Sequence, residues 1–191
     1  MNIHSIQVFC GARMGNQEAF IQATQALGSI LAQKNIKIVY GGGQVGLMGV
    51  LADAALWNGG YVTGVIPTFL MEKELGHKAI QEMIVVETMH ERKIRMAGLS
   101  DATIALPGGF GTMDEVFEVL TMVQLGKITQ PVGILNVEGF YDPLLVQMRR
   151  MHDAALLNNA HLQMLIVSRD PRELVEKILE APTLPLTGKW D

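Results

Sequence analysis

Seven short runs of aliphatic and β-branched residues recur along this chain at intervals of about one helix length: SIQVFC (5–10), KIVY (37–40), YVTGVI (61–66), MIVVE (83–87), ATIAL (102–106), VGIL (132–135) and LIV (165–167). They are nearly continuous rather than alternating, which is the pattern of parallel strands covered on both faces. Segments with helical spacing fill the intervals, at 17–34, 46–58, 89–100, 112–126, 140–156 and 171–180. Strand alternating with helix throughout predicts an α/β fold: one doubly wound parallel sheet, Rossmann-like, with helices on both faces. The 191 residues suit a single domain with a substantial core, and no internal repeat or low-complexity linker divides them. We expect that domain to span residues 1–181, with PTLPLTGKWD (182–191) as a tail outside the sheet.

Several function classes drop out on composition. Hydrophobic residues make up 49% and charged residues 18%, so a packed globule is expected rather than disorder. A formal net charge of −4, with no dense Lys/Arg cluster, argues against nucleic acid and against an anionic membrane surface. Cys10 is the only cysteine, which excludes a disulfide framework and a multi-cysteine metal site. The opening MNIHSIQVFCG has no basic stretch followed by a long apolar one, and no apolar run approaches the ~18 residues of a membrane span. A soluble cytoplasmic protein is expected.

In a doubly wound sheet, ligands collect beyond the carboxyl ends of the strands, where the strand order switches. The loops there are CGAR (10–13), GGGQVG (41–46), IPTF (66–69), ETMHER (87–92) and LPGGFGT (106–112). GGGQVG fits G-x-G-x-x-G through Gly41, Gly43 and Gly46, but the next strand ends in Ile66-Pro67 without the acid that would hold the ribose of a dinucleotide. We therefore read it as a turn that brings backbone close to a nucleotide rather than as an NAD site, or else as glycines serving helix–strand packing. In LPGGFGT, Pro107 ends a strand, and Gly108, Gly109 and Gly111 permit backbone shapes that side chains forbid. Successive N–H groups, the positive end of the following helix and the Thr112 hydroxyl make a cradle for a phosphomonoester. The lysine of an ATP-type loop is absent.

Acids stand beside this anion cradle. Thr112-Met113-Asp114-Glu115 has the form T-x-x-E, so Glu115 could serve only as the return arm of a capping box, and Asp114 as an acid of a first helical turn. Facing them, MHERKIRMAGLSDA (89–102) carries Arg92 near the start of a helix, where its guanidinium can lean over the same pocket. Met89, Met96 and Leu99 are spaced as that helix's buried stripe. Arg92 and Lys93 could flank a site, or belong to a solvated face on which Glu91 pairs with Arg95. His90 reads as a polar helix-start residue.

Taken in order, GGGQVGLMG, MHERKIRM and LPGGFGTMDE resemble the LOG family of cytokinin-activating phosphoribohydrolases, many of which carry the older label "possible lysine decarboxylase". The likeness runs from VFCGAR to about residue 180. It implies hydrolysis of the N-glycosidic bond of a purine nucleoside 5′-monophosphate, carrying adenine or an N6-modified adenine, to free base and ribose 5-phosphate. By motif position, Arg92 and Glu115 match the catalytic pair, and Gly108, Gly109, Gly111 and Thr112 the phosphate loop. Lys93 and Glu74 of MEKEL match nucleotide-contacting positions, and the GGGQVG turn offers Gly42 and Gly43 as further substrate contacts. The resemblance implies a homodimer and neither metal nor cofactor. The chain departs from many relatives at Arg13 in CGARMG, where a small residue is usual, and at Met113-Asp114, where Leu-Glu is frequent.

The resemblance also accounts for acid beside cradle. Breaking the bond to the base leaves positive charge on the sugar. A carboxylate near C1′ stabilises that charge, with the ribose separating it from the phosphate. A lysine decarboxylase would instead need pyridoxal phosphate on a lysine, for which only Lys93 is well positioned. A carrier or sensor of nucleotides would keep the glycine loops but has no use for Arg92 with Glu115.

Overall fold

The computed structural model describes residues 2–71 and 76–182. Seven parallel strands, β1 (Ser5–Phe9), β2 (Lys37–Tyr40), β3 (Val62–Pro67), β4 (Glu82–Val86), β5 (Ala102–Ala105), β6 (Val132–Leu135) and β7 (Leu165–Ser168), form one sheet in the order β4-β3-β2-β1-β5-β6-β7. The helices are α1 (Glu18–Gln33), α2 (Gly46–Trp57), α3 (Thr68–Met71), α4 (Met89–Gly98), α5 (Phe110–Gln124), α6 (Asp142–Asp153), α7 (Asn159–Leu162) and α8 (Pro171–Glu180).

Alternate strand residues point to opposite faces, so each strand feeds two cores. Ile6, Val8, Ile38, Tyr40 and Ile104 pack under α1, α2 and α8, with Leu27, Leu51 and Leu174 among their neighbours. Phe9, Val39, Val65 and Ala105 pack under α4 and α5, with Met96, Val116 and Val119. Burial on both faces is the reason the strands read as continuous apolar runs. The strand order reverses between β1 and β5, and the crevice beyond their carboxyl ends is the ligand position of this architecture.

Local signals set the helix starts. Thr88 caps α4 by accepting from the Glu91 N–H at 3.1 Å, while Glu91 Oε2 reaches back to the Glu87 N–H at 2.9 Å. Asp170 caps α8 in the same way, with Pro171 in the first turn. Three elements fall outside the sequence reading: the single-turn helices α3 and α7, and a 3-10 turn at Val137–Gly139 that delays α6 to Asp142. Too short for a periodic pattern, they follow from loop contacts. The expected tail lies outside the described residues except for Pro182. Among the described residues, no helix is long and apolar enough to cross a membrane.

Candidate active site

A cavity of about 550 Å³ opens at the switch point. Gly108, Gly109, Gly111, Thr112 and Glu115 line it from the β5–α5 side, Met89 and Arg92 from α4, and Gly41 and Met48 from the β2–α2 side. Cys10 to Asn16 line it from the loop after β1, with Phe140 beyond β6. The volume suits a nucleotide-sized ligand.

Arg92 is buried to 5% exposure, and its donors are directed by backbone. Nε donates to the Val65 carbonyl at 3.0 Å and Nη2 to the Gly41 carbonyl at 3.0 Å, while Nη1 lies 3.7 Å from Met89 Sδ. The guanidinium is thus fixed between β3 and the first glycine loop. Glycine at position 41 follows from this close approach: a Cβ there would overlap Nη2 of Arg92.

Helix α5 begins earlier than its sequence suggested. Gly109 is the N-cap, without a side-chain hydrogen bond, and Met113 N–H closes onto the Gly109 carbonyl at 3.1 Å. Thr112 is therefore the third helical residue and not a cap, and the T-x-x-E capping box does not form. Nor is Asp114 an acid of the first turn, which holds none. Glu115 sits in the second turn, 7% exposed, with its side chain on the cavity. The capping reading of Glu115 is thereby set aside.

The glycines of LPGGFGT are also used differently from the sequence reading. None of Gly108, Gly109 and Gly111 has the positive φ that glycine alone tolerates well. What matters is room: a Cβ on Gly108 would overlap the Thr112 hydroxyl, and one on Gly109 or Gly111 would meet nothing within 4 Å. The space beside the start of α5 is open to a ligand. The Tyr141 hydroxyl donates to the Leu106 carbonyl at 2.6 Å and steadies the strand end before Pro107. Burial pushes that phenol up, keeping it a donor.

Three of the expected residues do not line this cavity. Lys93 does not line the cavity; its ammonium joins α4 to α5 through Asp114 at 3.0 Å and Glu118 at 2.6 Å. Burial acts to lower its pKa, but the bonds and charges of Glu118 and Asp114 outweigh that and raise it, so it stays a cation. Gly42 and Gly43 also fall outside the lining and pair with His77 and Gly76. Gly42 O accepts from the His77 N–H at 2.9 Å, and Gly43 bridges to Gly76. Glu74 lies outside the described residues.

The sequence reading missed Met14, Gly15, Asn16 and Phe140 as cavity residues. Extending the loop after β1 and counting the one after β6 would have found them. It also missed buried His77, whose Nδ1 accepts from the Ala79 N–H at 3.3 Å and whose Nε2 meets Asp53 Oδ1 at 3.1 Å. No sequence pattern marks that residue. Among the described residues, no group of three or more His, Cys, Asp or Glu could hold a metal ion.

A cavity at the switch point, with a glycine-rich helix start, a buried arginine and a buried carboxylate, places the chain in the class of α/β proteins whose ligand site lies beyond the carboxyl ends of the strands. A family model described as "Possible lysine decarboxylase" matches residues 48–178. Cytokinin riboside 5′-monophosphate phosphoribohydrolase LOG1 of Arabidopsis thaliana is 42% identical over 173 residues, 91% of this chain and 81% of that protein. Probable cytokinin riboside 5′-monophosphate phosphoribohydrolase LOGL1 of Oryza sativa subsp. japonica is 44% identical, over 91% of this chain and 78% of its own. The chain belongs to the LOG family. The molybdenum cofactor carrier protein of Chlamydomonas reinhardtii shares the fold, with a TM-score of 0.69 at 23% identity over 93% of this chain and 98% of that one. That likeness concerns architecture alone.

Proposed function

We propose that this protein hydrolyses the N-glycosidic bond of purine nucleoside 5′-monophosphates, releasing adenine or an N6-modified adenine and ribose 5-phosphate. The observation that carries the reading is that Glu115, Arg92 and the glycine-rich start of α5 share one cavity. The names of the LOG relatives, phosphoribohydrolases of cytokinin riboside 5′-monophosphates, support the same reaction.

In this reading the phosphate rests at the start of α5 on the N–H groups of Gly109 and Gly111 and the Thr112 hydroxyl, at the positive end of the helix. The C1′–N9 bond breaks with its electron pair moving to the purine. Glu115 stabilises the cationic sugar and accepts a proton from the water that adds to C1′. Overall that proton is delivered to the purine, so nucleotide and water give base and ribose 5-phosphate. Arg92, fixed by the Val65 and Gly41 carbonyls, presents its charge to the substrate at no ordering cost during reaction. Lys93 serves this site indirectly by holding α4 to α5. A decarboxylase reaction would need a cavity lysine for pyridoxal phosphate, and no described lysine lines the cavity.

Phosphate supplies binding energy remote from the reacting bond, which should appear in turnover as well as affinity. We expect kcat/KM for AMP to exceed that for adenosine by about a hundredfold or more, the value of two or more charge-assisted bonds. Equal values for the two substrates would refute the role of the α5 start.

The same reading includes a homodimer in a cytoplasmic setting, without nucleic acid as partner. Phe110 at 97% exposure and Phe117, two turns apart on α5, present apolar surface to solvent. A second copy covering this surface would stand at the rim of the cavity. Light scattering at micromolar concentration should give about twice the 20.9 kDa of one chain, and a mass near 20.9 kDa would contradict the dimer.

A further inference from the structure

The cavity has two arginines, and only one of them is committed to the protein. Arg92 spends Nε and Nη2 on backbone carbonyls. Arg13, on the loop after β1, also lines the cavity, is exposed, and has no hydrogen-bond or ion-pair partner among the described residues. A lone exposed arginine is ordinarily a solvated surface group, so its surroundings must decide.

Those surroundings converge on the glycine cradle. The Gly11 N–H donates to the Pro107 carbonyl at 3.0 Å, and the Gly11 carbonyl accepts from the Leu47 N–H at 3.0 Å. The loop is therefore held on one side to the start of the PGGFG turn and on the other to the start of α2. A Cβ on Gly11 would sit 3.1 Å from the Arg13 carbonyl and 3.5 Å from Gly108 Cα, so the Arg13 backbone and the cradle are about one side chain apart. Gly46, opening α2, packs directly on the Arg13 N–H. Arg13 thus stands by the starts of two helices, α2 and α5, whose dipoles both favour an anion.

We infer that Arg13 is the cation that takes up the charge of the substrate's 5′-phosphate and sets the preference for phosphorylated over unphosphorylated substrate. The inference rests on the hydrolase reading for its substrate. Three observations carry it. A phosphomonoester brings about −1.5 to −2 charges at neutral pH. The cradle itself offers amides, a hydroxyl and a helix dipole, but no full positive charge. Arg92, the cavity's other arginine, is held between β3 and the first glycine loop by the Val65 and Gly41 carbonyls, whereas the Arg13 backbone lies against the cradle. A guanidinium supplies that charge as a planar fork matched to phosphate oxygens.

The test measures ribose 5-phosphate binding by titration calorimetry for the wild type, Arg13→Ala and Arg13→Lys, and the AMP-to-adenosine ratio of kcat/KM for each. Arg13→Ala should bind ribose 5-phosphate about tenfold more weakly, the loss of one charge-assisted bidentate contact, and its AMP-to-adenosine ratio should fall by a similar factor. Arg13→Lys should recover part of both, because it restores charge without the fork. Because Arg13 is exposed, both variants should melt with the wild type. Binding by Arg13→Ala equal to wild type would overturn the inference and leave the hydrolase reading standing. Arg13-dependent binding without base release would overturn the hydrolase reading and leave Arg13 as a phosphate contact. A wild type that releases base from AMP but does not bind ribose 5-phosphate would overturn the inference and leave the hydrolase reading standing.

Discussion

Glu115→Gln should fold and bind nucleotide but release base about a hundredfold more slowly or worse, the usual loss when a preorganised charge is removed from a reacting centre. The amide keeps the volume and direction of the side chain and removes only its charge. Glu115 is 7% exposed and turned to the cavity from the second turn of α5, so its carboxylate is held where solvent screens it least. Had it been the return arm of a capping box, glutamine would have served almost as well, since both residues close that motif. With Gly109 as the cap, that alternative offers no reason for a glutamate at this position. Single-turnover base release measured beside the melting temperature separates chemistry from stability. Near-normal turnover in a stably folded variant would remove Glu115 from the mechanism.

The second large effect is expected from a residue with no functional group. Gly41→Ala adds one methyl group that overlaps Nη2 of Arg92, with Met48 Sδ 3.0 Å away on another side. The backbone of β2 and the glycine loop are fixed by the sheet, so the end of the flexible arginine must yield. Its bonds to the Val65 and Gly41 carbonyls are then lost together. Overpacking of this kind costs about 1–3 kcal/mol, which a chain of this size tolerates while folded. A displacement of about 1 Å in a positioned catalytic group costs on the order of a hundredfold in rate. Gly41→Ala should therefore reproduce most of the kcat/KM loss of Arg92→Ala. A Gly41→Ala protein that turns over like wild type would mean that the fixed guanidinium is not needed.

The sheet was legible in the sequence because burial on both faces writes itself as unbroken β-branched runs, and all seven strands lie where those runs predict. The start of α5 was not, because Thr112-x-x-Glu115 satisfies a local capping pattern while Gly109 caps the helix three residues earlier. Nothing local marks Gly109-Phe110-Gly111 as helical; the turn out of β5 imposes it. The site divides in the same way. Arg92 and Glu115 were recognisable by motif, but the partners that fix Arg92 lie 27 and 51 residues away, on β3 and the β2 loop. Lys93 shows the converse: its motif position suggested a nucleotide contact, whereas two acids on the neighbouring helix hold its charge. Sequence adjacency to Arg92 places it a hundred degrees around the helix, and that rotation decides which residue faces the cavity.

Cleavage of the bond to the base is measured directly by chromatography. Purified protein is incubated with AMP and with its N6-isopentenyl analogue, and base and sugar phosphate are resolved over time. Free base and ribose 5-phosphate should appear in equal amounts over many turnovers, from at least one of the two nucleotides. Recovery of both nucleotides intact, bound to the protein but uncleaved, would contradict the hydrolase reading and identify a nucleotide carrier built on the same fold.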